Sequence, residues 1–162
     1  MSGYLQNASV QRVQRALGEA GSTSEVVELS DTARTAEDAA RALGCELGAI
    51  VKSLVFTVGG RPVMALVAGD RRCDTGSLAA ALGLEGKVAR ADADTVREAT
   101  GFAIGGVAPL GHDLPIAIDA SLQRFATVWA AAGHHHCVFP TSVPELVRMT
   151  RGRLDDRIGT AT

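Results

Sequence analysis

The sequence predicts a mixed α/β domain of the α+β type, with a largely antiparallel sheet and surrounding helices. Helical and strand patterns follow one another irregularly, whereas a doubly wound parallel sheet would show strands that alternate regularly with crossover helices. One clear hairpin supports the antiparallel arrangement. The apolar runs Ile50–Val58 and Pro62–Ala68 are separated by a turn that contains Gly59 and Gly60.

Five helices are predicted from apolar spacing and from capping residues. Ser9 precedes apolar positions that recur at helical spacing, Thr35 and Asp38 occupy capping positions, and Pro144 lies in the first turn of the last helix. Short runs rich in β-branched residues predict the strands. The predicted helical ranges are 10–17, 35–43, 75–82, 92–99 and 141–149, and the predicted strands are 26–29, 50–58, 62–68, 87–91, 115–119, 127–131 and 136–139.

The length of 162 residues predicts a single domain that spans 1–162, with frayed ends at about 1–8 and 153–162. The hydrophobic fraction of 46% and the charged fraction of 21% are typical of a globular protein. No apolar run is long enough to cross a bilayer, and Met1–Ser9 lacks the features of a secretion signal. Three widely spaced cysteines argue against a disulfide framework, so we expect a cytoplasmic protein without membrane partners.

Lys52 is the residue that differs most from its surroundings. Side chains alternate along a strand, so Lys52 shares a face with Ile50, Leu54 and Phe56. A lysine is rarely buried without a partner, because removing its charge from water is expensive. Two interpretations stay open. The ammonium reaches water past the end of the strand, or it lies in a pocket where it binds an anion or a polarised carbonyl.

The stretch from Gly101 to His112 contains four glycines and a proline. It matches neither the P-loop nor the dinucleotide-binding fingerprint, since both require a particular glycine spacing before a helix. A plain surface turn is one interpretation. The other is a bent loop around Pro109 that presents backbone N–H groups to a bound oxygen, with His112 at its end.

The run His134–Cys137 suggests a metal site, but its side chains alternate in an extended segment and no second ligand pair accompanies it. A polar turn between two strands is the preferred interpretation, and we expect no metal and no cofactor. No serine or cysteine has the flanking features of an activated nucleophile. An enzyme with this sequence would therefore position its substrate and a water molecule rather than form a covalent intermediate.

The chain resembles the YbaK/EbsC family of free-standing proteins, which are related to the editing domain of prolyl-tRNA synthetases. The features that carry this resemblance are Lys52 in its apolar strand and the later stretch Thr100–His112. The resemblance covers nearly the whole chain, including the closing Val138–Val147. It implies a mixed α/β fold with a curved central sheet. It also implies an enzyme that hydrolyses the ester between a wrong amino acid and the 3′ end of a tRNA.

The family's strand lysine matches Lys52 and contacts the terminal nucleotide or its backbone. Its Gly-x-x-x-Pro loop matches Gly105–Pro109 and places backbone N–H groups against the substrate. The resemblance thus implies catalytic roles for Lys52, Gly105 and Gly106. It implies substrate contacts for five further positions, which are Val107, Ala108, Pro109, Gly111 and His112.

One departure from the family concerns the amino acid that is removed. The cysteine-specific branch carries a serine and an aspartate where this sequence aligns Ala131 and Val138. Alanine, serine, threonine and cysteine therefore all stay open, with tRNA-Pro as one carrier. The net charge of −2 predicts weak tRNA binding, so a synthetase or an elongation factor is a further expected partner. Two other functions stay open: a non-catalytic module that binds a tRNA end or a synthetase, and a hydrolase of another small ester.

Overall fold

The computed structural model describes residues 3–30 and 32–162, and its secondary structure is mixed. The helices are α1 (Ala8–Glu19), α2 (Ala36–Leu43), α3 (Thr75–Leu82), α4 (Ala93–Thr100) and α5 (Val143–Thr150). The strands are β1 (Val27–Glu28), β2 (Ile50–Val58), β3 (Arg61–Ala68), β4 (Arg71–Cys73), β5 (Val88–Arg90), β6 (Ile116–Asp119), β7 (Val128–Ala131), β8 (Cys137–Thr141), β9 (Arg153–Asp155) and β10 (Gly159–Ala161). None of the described helices is long and apolar enough to cross a membrane.

The central sheet contains eight strands in the order β1-β8-β7-β2-β3-β6-β9, with β5 attached to β2. Four of its pairings are antiparallel, including the β2–β3 hairpin, in which Lys52 pairs with Val67. Three are parallel, namely β2–β7, β3–β6 and β6–β9. The strands β4 and β10 form a separate antiparallel pair. The predicted mixed α/β fold with a largely antiparallel central sheet is confirmed.

One edge of β2 is shared by two short partners that leave a gap between them. β7 pairs with Ile50 and Val51, whereas β5 pairs with residues 56–58. Residues 52–55 therefore have no strand partner on this edge among the described residues. Lys52, Ser53 and Leu54 are accordingly only half-buried, although β2 runs through the middle of the sheet.

The two faces of the sheet carry separate apolar cores. On one face, Val51 and Val55 of β2 pack with α1, α5 and the segment after α4, which contributes Phe102 and Ala108. On the other face, Phe56 packs with α3. A smaller cluster on this second face joins α2 to the β7–β8 pair. The helices thus cover both faces and leave the gap beside β2 bordered by α2 and the glycine-rich loop.

The capping chemistry explains why most helices begin where the sequence predicts. Thr35 and Asp38 form the reciprocal capping box at α2, and Asp92 caps α4. One predicted cap is wrong by two positions, because the side chain of Asn7, not Ser9, accepts a free amide at the start of α1. At α5 the cap is Ser142, and the helix begins two residues later than the predicted 141.

The prediction of frayed ends is wrong for the described residues. β9 pairs with β6, β10 pairs with β4, and Ile158 between them is completely buried. At the other end, Tyr4–Gln6 forms a 3₁₀ turn that leads directly into α1. Met1 and Ser2 lie outside the described residues. The short polar strands at the end of the chain escaped prediction because strand pairing with distant partners, not local propensity, orders them.

Candidate active site

A cavity of about 370 Å³ lies at the gap beside β2. Residues 50–55 of β2 form its floor, the start of α2 forms one wall, and the loop after α4 forms another. Strands β7 and β8 and the end of β5 complete the wall. The lining residues that carry polar side chains are Arg34, Thr35, Lys52, Ser53, Arg90, Trp129 and His135.

Lys52 lines this cavity together with Gly105 and Val107, so the strand lysine and the glycine-rich loop meet in one place. The Lys52 ammonium donates a hydrogen bond to the backbone carbonyl of Arg71 in β4. Burial lowers the pKa of Lys52, and the negative charge of Asp70 opposes that shift. Among the described residues, the ammonium is thus held at the cavity by a neutral acceptor and forms no ion pair.

The glycine-rich loop turns sharply at Gly105, whose φ of +94° lies in the region that favours glycine. Within the described ranges, no carbonyl accepts a hydrogen bond from the Gly105 amide. Gly106 is buried, and its amide donates to the carbonyl of Ala103. Gly105 rather than Gly106 therefore combines a free amide with a place in the cavity wall.

Four other predicted substrate-binding residues lie outside the cavity wall. Ala108 and Pro109 are buried in the core beneath the loop. Gly111 has a φ of +92°, and its carbonyl accepts a hydrogen bond from Arg12 at the base of the loop. Direct contact of these residues and of His112 with a substrate stays a prediction, and their contacts here support the loop from behind.

His112 is half-buried behind the loop and joins two of its backbone groups. Its Nε2 lies 2.9 Å from the carbonyl oxygen of Ala108, and its Nδ1 lies 3.4 Å from the amide nitrogen of Leu114. We assign the neutral tautomer with the proton on Nε2, since Nδ1 then accepts from Leu114. Burial lowers the pKa of His112, which favours this neutral form.

Arg12 of α1 ties the two ends of the loop together, a role that sequence reasoning missed. Its Nη2 donates to the Thr100 carbonyl at 2.7 Å and also to the Gly111 carbonyl. Its guanidinium lies over the Phe102 ring, 4.3 Å from the centroid. No local pattern distinguishes Arg12 from a solvated helix arginine, because both acceptors lie about ninety residues away in the chain.

The histidine run forms the predicted turn between β7 and β8, but its side chains do not alternate as in a strand. The Tyr4 and His134 rings stack with centroids 4.4 Å apart, and the His134 and His135 rings stack at the same separation. No cluster of three or more metal-ligating side chains was found in the described part of the chain. His135 is exposed and lines the cavity, a position that its sequence neighbours do not indicate.

Ala131 and Val138 both line the cavity and are directly opposite each other in the β7–β8 pair. The two positions that are expected to depart from the cysteine-specific branch therefore both line the cavity. Neither side chain can form a hydrogen bond, so this part of the wall is apolar.

Comparisons with known proteins identify the family of the chain. The model of the aminoacyl-tRNA editing domain matches residues 30–149. The protein YwhH of Bacillus subtilis, which is uncharacterized, is 35% identical over 126 residues that cover 76% of this chain and 79% of YwhH. EbsC of Enterococcus faecalis, named as a candidate Cys-tRNA(Pro)/Cys-tRNA(Cys) deacylase, is 30% identical over 123 residues, which cover 74% of each chain.

Among solved structures, one described as a candidate trans-editing enzyme for prolyl tRNA synthetase superposes with a TM-score of 0.88 at 41% identity. The match covers 94% of this chain and 98% of the other. Since the domain model matches well over half of the chain and the relatives match along most of their length, this protein belongs to the aminoacyl-tRNA editing domain family, in its YbaK/EbsC branch.

Proposed function

We propose that this protein is a cytoplasmic trans-editing deacylase that hydrolyses the ester of a mischarged tRNA. The proposal rests on one observation: Lys52 and Gly105 line the same cavity, which is open to solvent. A tRNA ester offers a phosphate or a ribose hydroxyl to the ammonium and a carbonyl oxygen to the free amide. The names of EbsC and of the solved structure support the same class of reaction.

The proposed reaction needs no protein nucleophile. Water adds to the ester carbonyl, negative charge develops on the carbonyl oxygen, and the Gly105 amide donates a hydrogen bond to that oxygen. The bond between the carbonyl carbon and the ribose oxygen then breaks, and the ribose oxygen takes a proton. The free ribose hydroxyl of the same nucleoside helps to orient the water. Because the ester is already reactive, positioning supplies most of the acceleration.

Alanine, serine, threonine and cysteine are the amino acids under consideration, with tRNA-Pro as one carrier. The opposed pair Ala131 and Val138 offers no polar partner to a hydroxyl or thiol side chain, which favours alanine. A synthetase or an elongation factor would deliver the mischarged tRNA, because the net charge of −2 gives little general attraction to RNA.

The test uses tRNAs mischarged with each of the four amino acids and follows ester loss by wild-type protein and by Lys52→Ala. We expect Lys52→Ala to lower kcat/KM by roughly ten- to a hundredfold, as expected for a lost hydrogen bond from a charged donor. Lys87, the other lysine of the chain, is exposed and lies outside the cavity, so Lys87→Ala is the matched control. Absence of ester loss from all four tRNAs, or equal loss with Lys52→Ala, would contradict the proposal.

A further inference from the structure

The gap in the sheet exposes main-chain hydrogen-bonding groups of β2 to the cavity. The carbonyl of Val55 points towards β5, since it accepts a hydrogen bond from the Ala91 amide. Main-chain groups alternate in direction along a strand, so the amide and carbonyl of Ser53 point to the same edge. Neither β7 nor β5 reaches Ser53, and within the described ranges no residue bonds to these groups.

The side chain of Ser53 adds a third polar group at the same place. Its Oγ is buried and has no hydrogen-bond partner among the described residues. The hydroxyl lies on the strand face that also carries Val51 and Val55, and all three residues line the cavity. A buried hydroxyl without a partner is unfavourable. In a cavity and beside two unpaired main-chain groups, this hydroxyl is placed to bind a ligand that supplies the missing hydrogen bond.

The aminoacyl group of the proposed substrate carries an α-ammonium that needs hydrogen-bond acceptors. The cavity wall contains no carboxylate among the residues that the structure describes, although Arg34, Lys52 and Arg90 are all cationic. Among the described lining residues, the side-chain acceptors open to the ammonium are therefore neutral. The Thr35 hydroxyl already accepts from the Asp38 amide, and the His135 ring is exposed. Ser53 offers both a hydroxyl and a carbonyl to which no described residue bonds.

We infer that the Ser53 Oγ and the Ser53 carbonyl form a subsite for the α-amino group of the aminoacyl ester. This inference rests on the proposed function and deepens it. The α-amino group donates to both acceptors, and the ester carbonyl then extends across the cavity towards the Gly105 amide. The subsite makes the enzyme selective for α-aminoacyl esters over acyl esters that lack the amine. Ser53 is a positioning residue in this arrangement, and it exchanges no proton with the reacting atoms.

The experiment uses two amide-linked analogues that cannot be hydrolysed, 3′-alanylamino-3′-deoxyadenosine and 3′-propionylamino-3′-deoxyadenosine. They differ only in the α-amino group. Calorimetry gives Kd for both with wild type and with Ser53→Ala. We expect wild type to prefer the alanyl analogue and Ser53→Ala to reduce this preference by about tenfold, because one hydrogen bond to a charged donor is lost. Affinity for the propionyl analogue should not fall.

Ser121→Ala is the matched control, because the Ser121 Oγ is also buried without a partner but lies outside the cavity. It should leave the preference unchanged. The melting temperature of Ser53→Ala should equal or exceed that of wild type, since an unsatisfied buried hydroxyl is removed. An unchanged preference with Ser53→Ala, or an equal change with Ser121→Ala, would overturn the inference.

Separate measurements of analogue binding and of tRNA hydrolysis distinguish failure of the Ser53 subsite from failure of the proposed deacylase activity. If wild type hydrolyses none of the mischarged tRNAs but prefers the alanyl analogue through Ser53, the deacylase proposal fails and the subsite stands. If the tRNAs are hydrolysed but wild type binds both analogues equally well, the subsite fails and the deacylase proposal stands.

Discussion

At the residue scale, the same type of side chain has different roles according to its surroundings. His135 is exposed at the cavity, whereas His112 is half-buried and bonded to the backbone behind the loop. Lys52 is held beside the cavity by a carbonyl of β4, whereas Lys87 is exposed. Residue type alone therefore did not distinguish a site residue from a supporting one.

His112 provides a pH-dependent contribution to stability with a defined sign. Its folded pKa lies below the ordinary value of 6.5 because of burial, and the charge of Arg12 acts in the same direction while that of Asp113 opposes it. At a pH between the lowered pKa of His112 in the folded protein and its ordinary pKa in the unfolded chain, the unfolded chain binds a proton that the folded protein does not. Stability therefore falls as the pH decreases through this window and is restored above about pH 6.5.

We expect His112→Gln to weaken the pH dependence of the melting temperature between pH 7 and pH 5. Thermal unfolding at several pH values measures this directly. His135→Gln is the comparison: burial also lowers the pKa of His135, but the ring is exposed, so its replacement should change the slope less than His112→Gln does. If the pH dependence is the same in wild type and His112→Gln, the neutral buried ring is not its source.

At the element scale, the glycine-rich loop is positioned by α1, which contacts it from across the fold. Arg12 donates to carbonyls at both ends of the loop and stacks on Phe102. The backbone of the β7–β8 turn packs against it as well, because a Cβ on Gly106 would lie 2.9 Å from the His134 Cα. The loop thus depends on two distant segments for its conformation.

Arg12→Lys retains the positive charge but loses the planar guanidinium that lies over Phe102 and whose Nη2 donates to the Thr100 and Gly111 carbonyls. We expect it to lower the free energy of unfolding by about 1–3 kcal/mol, to speed amide hydrogen exchange in 101–111 and to lower kcat for the deacylation reaction. Arg15→Lys on the exposed side of α1 is the control. Exchange rates in 101–111 that match wild type would show that Arg12 does not hold the loop.

The elements that were predicted well are those whose signals are local. The capping box at Thr35 and Asp38 and the Gly59–Gly60 hairpin turn depend on residues a few positions apart, and both are present. Strand β4 and the 3₁₀ segment Ala120–Arg124 were not predicted. The three residues of β4 are ordered by pairing with β10, which lies more than eighty residues later.

At the scale of the whole molecule, the end of the chain stabilises the sheet that carries the site. β9 extends the central sheet beside β6, and Gly159 lies so close to Asp119 that a Cβ there would meet its carboxylate. Asp119 in turn accepts a hydrogen bond from the Ala68 amide at the end of β3. The closing residues thus connect to the hairpin that contains Lys52.

Ile158→Ala should destabilise the protein by about 2–5 kcal/mol, because a completely buried side chain in the α3-side core is truncated. Leu154→Ala is the control, since Leu154 is 41% exposed, and its effect should stay within about 0.5 kcal/mol. Urea unfolding measures both changes. A small loss with Ile158→Ala would mean that the end of the chain is not part of the core.

The sequence by itself determined the fold class, most helix boundaries, the central hairpin and the family. These features depend on hydrophobic periodicity, capping residues and two short motifs, all of which are local in the chain. It also singled out Lys52 and the Gly101–His112 stretch as candidates, because an ammonium on an apolar strand face is uncommon and the paired motifs resemble those of the family.

Only the tertiary structure decided what surrounds those two residues. The gap between β7 and β5 arises from strand pairings between distant segments, and it alone makes Ser53 a cavity residue. The same is true of Arg12 behind the loop and of Ala131 opposite Val138. Contacts between segments far apart in sequence leave no local pattern, because each side chain in such a contact suits its distant partner in the fold rather than its neighbours in the chain.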